Sequence, residues 1–205
     1  MDAKANRHQV GIIILAAGAS VRLGKPKQLL KYKGKSLIER AAQTALAAEC
    51  ENVAVVLGAN AAQIKSELEN LPLEIVVNED WATGISSSIK AGLKRISEIN
   101  PNLSAVVLML CDQPFVNAET LSRLLQIRRQ SGKKIAACRY GETIGVPAVF
   151  VRELFSEIYN LQGDTGAKFL IKKYLASEVE TLLFSEAAID IDTPQDYEKL
   201  TEPES

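Results

Sequence analysis

A glycine loop near the start of the chain carries basic residues at fixed places. The apolar run Ile12–Leu15 leads into this loop, 16–27, which contains Gly18 and Gly24. Such glycines let the backbone turn tightly and approach a ligand closely, and the amides of a tight turn attract anions. The cations of the loop are Arg22, Lys25 and Lys27. The combination indicates a polyphosphate site; the alternative is an ordinary strand-to-helix turn with solvated lysines.

The spacing within the glycine loop excludes two better-known nucleotide-binding loops. Five residues separate Gly18 from Gly24, and Lys25-Pro26 follows, so the loop is not the G-x-x-x-x-G-K-[ST] loop of P-loop NTPases. The sequence also lacks the dinucleotide-binding pattern G-x-G-x-x-G. Neither a P-loop NTPase nor a dinucleotide-binding dehydrogenase is indicated.

Two aspartates are candidates for a metal site beside this loop. Asp112 comes just after the apolar run Ala105–Leu110, and a second pair of carboxylates lies at Asp190 and Asp192. Mg²⁺ prefers one or two carboxylates together with phosphate oxygens and water. Asp112 and Asp192 are therefore the predicted Mg²⁺ ligands. Asp192 is preferred to Asp190 because it lies closer to the strand end. The alternative is that both aspartates cap turns.

Composition limits the class of protein. The chain has 205 residues, 47% hydrophobic and 24% charged, with a formal net charge of -1. These values predict one soluble globular domain over residues 1–205, with polar tails at about 1–9 and 202–205. The overall charge does not favour binding to nucleic acid. The sequence contains no run of about 18 apolar residues and no apolar core of a signal peptide. We expect no nucleic-acid partner, no membrane association and a cytoplasmic location.

The reactive side chains limit the chemistry further. His8 is the sole histidine and lies in the polar N-terminal tail, which excludes Ser-His-Asp, Cys-His and multi-histidine metal sites. The three cysteines, Cys50, Cys111 and Cys138, match neither a zinc pattern nor a disulfide framework and are predicted to be reduced, buried thiols. Carboxylates, cations and backbone amides remain as catalytic groups.

Apolar runs alternate with amphipathic segments through most of the chain, which predicts an α/β fold: a mainly parallel sheet with helices on both faces. The predicted strands are Ile12–Leu15, Asn52–Leu57, Leu73–Val77, Ala105–Leu110, Lys134–Cys138, Val146–Phe150, Val179–Phe184 and Ala188–Ile191. The predicted helices are Leu37–Ala48, Asn60–Glu69, Ile85–Ile96, Ala118–Gln130, Arg152–Leu161, Thr165–Tyr174 and a short one beginning at Pro194. A strand order beginning 3-2-1-4 would place the glycine loop and Asp112 across one cleft.

The glycine loop resembles the opening motif L-A-A-G-x-S-x-R-x-G-x-x-K of the small molybdenum cofactor nucleotidyltransferases. The matching residues are Leu15, Ala16, Ala17, Gly18, Ser20, Arg22, Gly24 and Lys27. Five further elements resemble the family in the same order, from Ile12 to Tyr197 overall. They are N-x-x-W-x-x-G-x-x-S-S at 78–88, D-Q-P at 112–114, G-V-P at 145–147, G-D-x-G-A at 163–167 and D-x-D-T-P-x-D at 190–196.

This resemblance implies a three-layer Rossmann-like nucleotidyltransferase fold and a role for each motif. Arg22 and Lys27 would neutralise the triphosphate, and Asp112 with Asp192 would bind Mg²⁺. The implied nucleotide-binding residues are Leu15, Ala16, Ala17, Gly18, Ser20, Arg22, Lys27, Asn78, Gly84, Ser87 and Ser88. The implied acceptor-binding residues are Pro147, Gly163, Asp164 and Gly166.

Several of these motif residues have a plainer interpretation. The serines after Gly84 could form an ordinary helix N-cap, and Asp164 could cap the helix that follows it. Trp81 is more simply explained as part of the core. Val146 stands where the family often has histidine, so no polar contact with the acceptor is assigned to that side chain.

The resemblance implies transfer of CMP from CTP to the phosphate of molybdopterin, with a xanthine dehydrogenase-type molybdoenzyme or its chaperone receiving the product. Ala17 indicates the cytidylyl branch, because the guanylyl branch usually has L-A-G-G and one methyl group can control a base pocket. The alternatives are guanylyl transfer from GTP, nucleotidyl transfer to a sugar phosphate or phospho-alcohol, and a non-catalytic nucleotide-binding partner of a molybdoenzyme.

Overall fold

The described residues form an α/β fold around one central sheet. The computed structural model describes residues 9–48, 50, 52–188 and 190–201, so the predicted tails, apart from Gln9, lie outside the described residues. The strands are β1 (Val10–Ala16), β2 (Lys31–Tyr32), β3 (Lys35–Ser36), β4 (Asn52–Leu57), β5 (Glu74–Val77), β6 (Ala105–Leu110), β7 (Ile135–Tyr140), β8 (Thr143–Val151) and β9 (Val179–Leu183). The helices are α1 (Leu37–Ala47), α2 (Ala61–Lys65), α3 (Ile85–Ile99), α4 (Ala118–Ser131), α5 (Phe155–Tyr159), α6 (Ala167–Tyr174) and α7 (Pro194–Thr201).

Seven of the described strands form the central sheet, in the order β5-β4-β1-β6-β8-β7-β9. β1 pairs in parallel with β4 and with β6, and β5 is parallel to β4. The expected arrangement of the first four long strands is therefore confirmed. β8 runs antiparallel to both β6 and β7, and β9 is parallel to β7. The glycine loop after β1 and Asp112 after β6 consequently emerge from adjacent strands at the same edge of the sheet.

Helices cover both faces of the sheet, and β1 is therefore buried along its whole length. Ile12 and Ile14 belong to an apolar cluster that includes buried residues of α1 and α4. Ile13 and Leu15 point to the opposite face, into a cluster with α3, α5 and α6. This alternation gives the three layers expected of the fold, and burial of one such isoleucine contributes roughly 1.5–3 kcal/mol.

A smaller apolar cluster fastens the C-terminal segment to the glycine loop. Leu23 from the loop, Leu37 from α1 and Leu200 from α7 are buried together with Ile191. The helix α7 begins with a reciprocal cap, in which Thr193 Oγ1 accepts from the Asp196 amide (3.2 Å) and Asp196 Oδ2 accepts from the Thr193 amide (2.8 Å). This packing holds the segment around Asp190 and Asp192 close to the loop.

Two predicted helices have different bounds. The helix expected to continue to Glu69 ends at Lys65, and Asn60 before it adopts φ 58° without a side-chain capping bond. The segment Arg152–Leu161 divides into a 3₁₀ turn and the short helix α5.

The helix expected from Thr165 begins at Ala167 instead. Gly166 has an extended backbone (φ −103°, ψ −168°) and occupies the N-cap position without a side-chain bond. Asp164 is therefore not the cap of α6.

The last predicted strand, Ala188–Ile191, is wrong for its described residues. Ala188 ends a 3₁₀ turn, Ile189 lies outside the described residues, and the Ile191 amide donates to the carbonyl of Asp112 (3.2 Å). Ile191 is fully buried, so its apolar character reflects packing under α7 rather than sheet pairing. The backbone bond nevertheless brings Asp190 and Asp192 beside Asp112.

Candidate active site

A buried glutamine fixes the shape of the glycine loop. Gln28 is 1% exposed, and its Nε2 donates to the carbonyls of Ala16 (2.8 Å) and Gly18 (2.9 Å). Ser20 adopts a left-handed conformation (φ 55°), and its Oγ accepts from the Lys27 amide at 3.1 Å. These bonds fold the loop back on itself and direct the Lys27 side chain toward the end of β6. A Cβ placed on Gly18 would meet nothing within 4 Å, so the backbone there is open to a ligand.

Lys27 lies between two carboxylates. Its ammonium group hydrogen-bonds to Asp112 Oδ2 and lies 2.8 Å from Asp192 Oδ1. Asp192 Oδ2 accepts from Arg22 at 2.7 Å, although the Arg22 side chain is 69% exposed. Burial alone would lower the pKa of Lys27, but the charge and hydrogen bonds of the two aspartates outweigh it and raise the pKa above its usual value. The lysine is therefore a permanent cation at neutral pH.

The pKa values of the C-terminal aspartates move in opposite directions. Hydrogen bonds from Lys27, followed by the charges of Lys27 and Arg22, lower the pKa of Asp192 despite partial burial. Burial raises the pKa of Asp190 to about 6, and the charges of Asp112 and Asp192 raise it further against a hydrogen bond from Gln113. Asp190 and Asp192 are two positions apart in the sequence, yet the carboxylate of Asp192 is paired with cations and that of Asp190 is desolvated.

Two carboxylate oxygens in this group are suited to a divalent metal. Asp112 Oδ1 and Asp190 Oδ1 are buried and have no hydrogen-bond partner among the described residues. Unpartnered buried carboxylate oxygens are costly and would be satisfied by a cation. No group of three or more His, Cys, Asp or Glu ligands occurs in the described part of the chain.

Cys111 precedes Asp112 but is unsuited to nucleophilic catalysis. The thiol is 3% exposed, and burial raises its pKa well above the usual value, with the charge of Asp112 adding to the effect. A thiol in this state is not a thiolate at neutral pH. Cys50, Cys111 and Cys138 are all buried and free of disulfides, as the sequence predicts.

The polar residues at the start of α3 mostly bind one another. Asn78 is buried, and its Nδ2 lies 2.8 Å from Ser87 Oγ and 3.0 Å from Ser88 Oγ. Asn78 Oδ1 accepts from the Asp80 amide at 3.1 Å. These bonds fix the turn that leads into α3. Of the predicted nucleotide-binding residues in this segment, Gly84 and Ser88 line the larger cavity described below, whereas Asn78 and Ser87 do not.

The backbone conformation and close packing at position 84 require glycine. It adopts φ 114°, and a Cβ there would lie 2.2 Å from the carbonyl carbon of Gly163. The Ser86 amide donates to the Gly163 carbonyl at 3.1 Å. The 163–166 loop therefore packs directly against the start of α3, which joins two of the sequence motifs.

Trp81 is not a core residue, contrary to the simpler expectation. It is half-buried and lines the larger cavity. Its Cβ lies 2.6 Å from the position that a Cβ on Gly58 would take, so glycine at that position makes room for the indole.

Two adjoining cavities lie at this edge of the sheet. The larger cavity, about 520 Å³, is lined by Leu15, Ala16, Ala17, Gly18, Lys27, Gln28, Trp81, Ala82, Gly84, Ile85, Ser88, Leu110, Cys111, Asp112, Asp164, Asp190 and Asp192. The smaller cavity, about 280 Å³, lies toward β8. Of the predicted acceptor-binding residues, Asp164 lines both cavities and Gly166 lines the smaller. Pro147 is buried and, like Gly163, lines neither; Gly163 packs on Gly84 instead.

Two residues of the site have no counterpart in the sequence predictions, and the burial of a third, Asp190, is not predicted either. Gln28 and Tyr140 carry no pattern that marks them, since a single buried polar residue cannot be recognised from spacing. Asp190 stands in the D-x-D element, and the extended geometry assumed there gave no reason to expect its burial. The signal available for Gln28 is its position between Lys27 and an apolar pair, which suggests a residue pointing inward.

Comparison with known proteins agrees with this geometry. A family model described as a MobA-like NTP transferase domain matches residues 12–179. The chain belongs to this family. It is therefore a nucleotidyltransferase of the MobA-like type, as the resemblance of its motifs implies.

Several relatives of this MobA-like transferase cover most of its length. Nicotine blue oxidoreductase from Paenarthrobacter nicotinovorans is 36% identical over 170 residues, or 78% of this chain and 80% of that protein. The purine catabolism protein PucB from Bacillus subtilis is 27% identical over 195 residues, or 91% and 93% of the two chains.

A solved structure of similar fold is Rv0371c from Mycobacterium tuberculosis, with 31% identity and a TM-score of 0.80 over 96% of this chain and 100% of that one. A second structure of Rv0371c, a complex with manganese, has 30% identity and a TM-score of 0.74 over 94% and 97%. Within the described residues, no helix is both long and apolar enough to span a bilayer.

Proposed function

We propose that the protein transfers CMP from CTP to the phosphate of molybdopterin and releases pyrophosphate, with Mg²⁺ as the metal. The observation that carries the proposal is the meeting of two cations and two aspartates at the mouth of the glycine loop. An oxygen of the acceptor phosphate would attack the α-phosphorus of CTP. The bond from the α-phosphorus to the bridging oxygen of the β-phosphate would break, and the electron pair would leave with pyrophosphate.

In this proposal the cations exchange partners when the nucleotide binds. Lys27 and Arg22 leave the aspartates and neutralise the triphosphate and the departing pyrophosphate. Asp112 and Asp192 then have oxygens available for Mg²⁺, which supplies positive charge at the α-phosphate when bound. Catalysis is mostly positioning and charge stabilisation, since the described site holds no activated nucleophile of its own.

Ala17, which lines the larger cavity, supports the choice of CTP as the nucleotide. Ala17 lines this cavity and is 7% exposed, and its carbonyl accepts from the Ala59 amide at 3.0 Å. The bond holds the Ala17 methyl in place, which narrows the space for a base and favours the smaller pyrimidine. Transfer from GTP is the alternative, and Ala17→Gly would relax the discrimination by about 10- to 200-fold, the range that small apolar groups control.

The proposal extends to delivery and location as expectations. The product would pass to a xanthine dehydrogenase-type molybdoenzyme or its chaperone in the cytoplasm. A non-catalytic nucleotide-binding role is disfavoured by membership of the NTP transferase family.

Pyrophosphate release tests the proposal. The purified protein is incubated with Mg²⁺, each of CTP, GTP, ATP and UTP, and either molybdopterin, a sugar phosphate or a phospho-alcohol. Release that requires CTP, molybdopterin and Mg²⁺ together is expected, and release with only another acceptor would contradict the molybdopterin assignment. Because the relative from Paenarthrobacter nicotinovorans is named an oxidoreductase, parallel reactions with NADH and NADPH follow absorbance at 340 nm. Their oxidation without pyrophosphate release would replace transfer by a redox activity.

A further inference from the structure

A third cavity, an open groove of about 440 Å³, lies between the β2–β3 hairpin and the helices α1 and α4. It shares no lining residue with the two cavities described above. Its small lining residues are Thr44, Ala47 and Ala118, and its charged lining residues are Lys33, Lys35 and Arg40. Every charged side chain that lines the groove is therefore a cation.

The three cations of the groove have no described carboxylate within ion-pair distance. Lys31, on the same hairpin, differs in this respect because it pairs with Glu67 at 3.1 Å. Lys35 Nζ donates instead to the amide oxygen Oε1 of Gln43 at 2.5 Å. Cations that are gathered without counterions repel one another and attract an anion.

Lys33 occupies a backbone position that does not suit a lysine. Lys33 and Gly34 form the two-residue turn of the hairpin, since Tyr32 pairs with Lys35 across it. Both turn residues have positive φ, 49° for Lys33 and 83° for Gly34. Such turns favour Asn, Asp or Gly, because a longer side chain is strained in the left-handed region. A lysine held there against local preference indicates that its charge has a role.

Arg40 is fixed in place at the groove. Its Nη2 donates to the carbonyl of Pro114 at 3.3 Å, and its Cζ lies 4.9 Å from the centroid of the Tyr32 ring. Lys33 Nζ lies 5.3 Å from the same centroid. Arg40 Nε is buried without a hydrogen-bond partner among the described residues. A guanidinium held in this way loses little further freedom on binding, and Arg and Tyr are frequent among the residues that dominate interface energies.

We propose that this groove is a docking surface for an acidic segment of a partner protein, whose carboxylates bind Lys33, Lys35 and Arg40. The cations come from an exposed hairpin and from α1 instead of converging inside an enclosed pocket, which favours a chain segment over a small anion. The small side chains of Ala47 and Ala118 leave room for a backbone to approach. Complementary charge gives such a surface its specificity and a fast association rate.

Hydrogen bonds connect the groove to the loop that carries Asp112. Arg40 donates to the carbonyl of Pro114, and Thr44 Oγ1 donates to the carbonyl of Val116 at 3.5 Å. Both carbonyls belong to the segment 112–116, which follows β6. A segment docked in the groove therefore lies against the loop of the candidate metal ligand. The inference does not depend on the reaction proposed above, because the residues it uses line neither of the other cavities.

Fluorescence anisotropy of labelled hexaglutamate tests the inference, with hexaglutamine as the uncharged control. The full chain should bind hexaglutamate at low salt and should not bind hexaglutamine, and added salt should lower the affinity. In the double variant Lys33→Gln with Lys35→Gln, the affinity for hexaglutamate should fall by about tenfold or more, since two charge-assisted contacts are lost. The matched control Lys65→Gln with Lys94→Gln removes the same charge from exposed positions of α2 and α3 and should leave the affinity nearly unchanged.

The variant Arg40→Lys separates a built site from a diffuse positive charge. It keeps the charge but removes the planar guanidinium that bonds to the Pro114 carbonyl. The affinity for hexaglutamate should fall by about fivefold, as for the loss of one hydrogen bond. Thermal unfolding of each variant checks that the fold is retained.

Five results would overturn the inference. The first three are no binding of hexaglutamate at low salt, equal losses in the groove double variant and its control, and unchanged affinity in Arg40→Lys. A loss of affinity in Lys27→Met, with the groove variants unaffected, would place the peptide at the glycine loop. Displacement of hexaglutamate by inorganic phosphate at a similar concentration would make a small anion the occupant and reject the protein partner.

Discussion

The two cavities share a wall but treat charge in opposite ways. In the larger cavity, Lys27 and Arg22 neutralise Asp192, and Lys27 also pairs with Asp112. Asp190 lines both cavities, is half-buried beside apolar side chains of the smaller one, and has one oxygen without a partner among the described residues. Two aspartates separated by a single residue thus have pKa values shifted in opposite directions, Asp192 downward and Asp190 upward.

This difference separates a region that pairs its carboxylates with cations from one that leaves a carboxylate desolvated. A site for a highly charged triphosphate needs cations that already have counterions when the site is empty. A carboxylate that is desolvated without a cation destabilises the fold when it is ionised. Removing a charge should therefore have opposite consequences on the two sides.

The largest expected effect is on the charged side. Lys27→Met removes the ammonium that would bind the triphosphate while keeping most of the side-chain volume. Turnover should fall by about 10²-fold or more, as for loss of one charge-stabilising group elsewhere. The assay is pyrophosphate release at saturating CTP. The control Lys65→Met alters a lysine of α2 away from both cavities; equal losses in the two variants would contradict a specific role for Lys27.

The same variant should bind metal better in the absence of nucleotide. The ammonium group of Lys27, whose pKa is raised, pairs with Asp112 and Asp192. Lys27 therefore competes with a metal ion for the same carboxylate oxygens. Without Lys27, the affinity of the nucleotide-free protein for Mn²⁺ should rise by about tenfold or more, judged from the loss of one charge-assisted bond. Titration followed by electron paramagnetic resonance measures this affinity. Unchanged or weaker Mn²⁺ binding would mean that the lysine does not occupy the metal site.

The next effect concerns the frame of the glycine loop. Gln28→Leu leaves the buried carbonyls of Ala16 and Gly18 without their donor. The free energy of unfolding should fall by about 1–3 kcal/mol, and the KM for CTP should rise. Urea unfolding and steady-state kinetics measure the two effects. Gln63→Leu, at an exposed position of α2, is the control; a similar loss there would remove the specific role of Gln28.

On the apolar side, removing a charge should stabilise the protein. The pKa of Asp190 is raised from 3.8 to about 6 by burial, so folding favours its protonated form. Its contribution to stability is present below pH 4 and is lost as the pH rises through about 6. Asp190→Asn should therefore raise the unfolding free energy at pH 8 by the order of 1–2 kcal/mol and have little effect at pH 4. Urea unfolding at both pH values, with a chelator present, would contradict the account if the variant were less stable at pH 8.

The smallest effect on stability is expected for Arg22→Gln. The Arg22 side chain is 69% exposed, so its ion pair with Asp192 is screened by solvent. The unfolding free energy should change by less than about 1 kcal/mol, whereas the KM for CTP should rise. A large loss of stability would show that the pair is structural rather than a counterion arrangement for the empty site.

The sequence predicts the parts of the molecule that depend on local pattern. The apolar runs at 12–15, 52–57 and 105–110 identify the parallel strands, and their ends identify the glycine loop and Asp112. The antiparallel direction of β8 is not encoded in a run of this kind, because it follows from the tight turn after Tyr140. The same apolar strand could otherwise pair in either direction.

The pairings within the site could not be predicted, for a different physical reason. Lys27 meets Asp192 across 165 positions of sequence, and this contact depends on how α7 packs through Leu200 and Ile191 onto the loop. Gln28 and Asp190 are ordinary polar residues until burial removes their water. Burial is a property of the assembled layers, so the fate of such side chains becomes visible only in the fold.

The most direct test of the nucleotidyltransferase account is thermal unfolding with Mg²⁺ alone, with CTP alone and with both. A ligand bound only by the folded protein stabilises it by about 2.7 kcal/mol at one hundred times its dissociation constant. Because Lys27 and Arg22 must exchange aspartates for phosphate, the account predicts a large shift only when CTP and Mg²⁺ are present together, and none from the pair in Asp112→Asn. An equal shift in Asp112→Asn, or no shift with any nucleotide, would contradict the central claim.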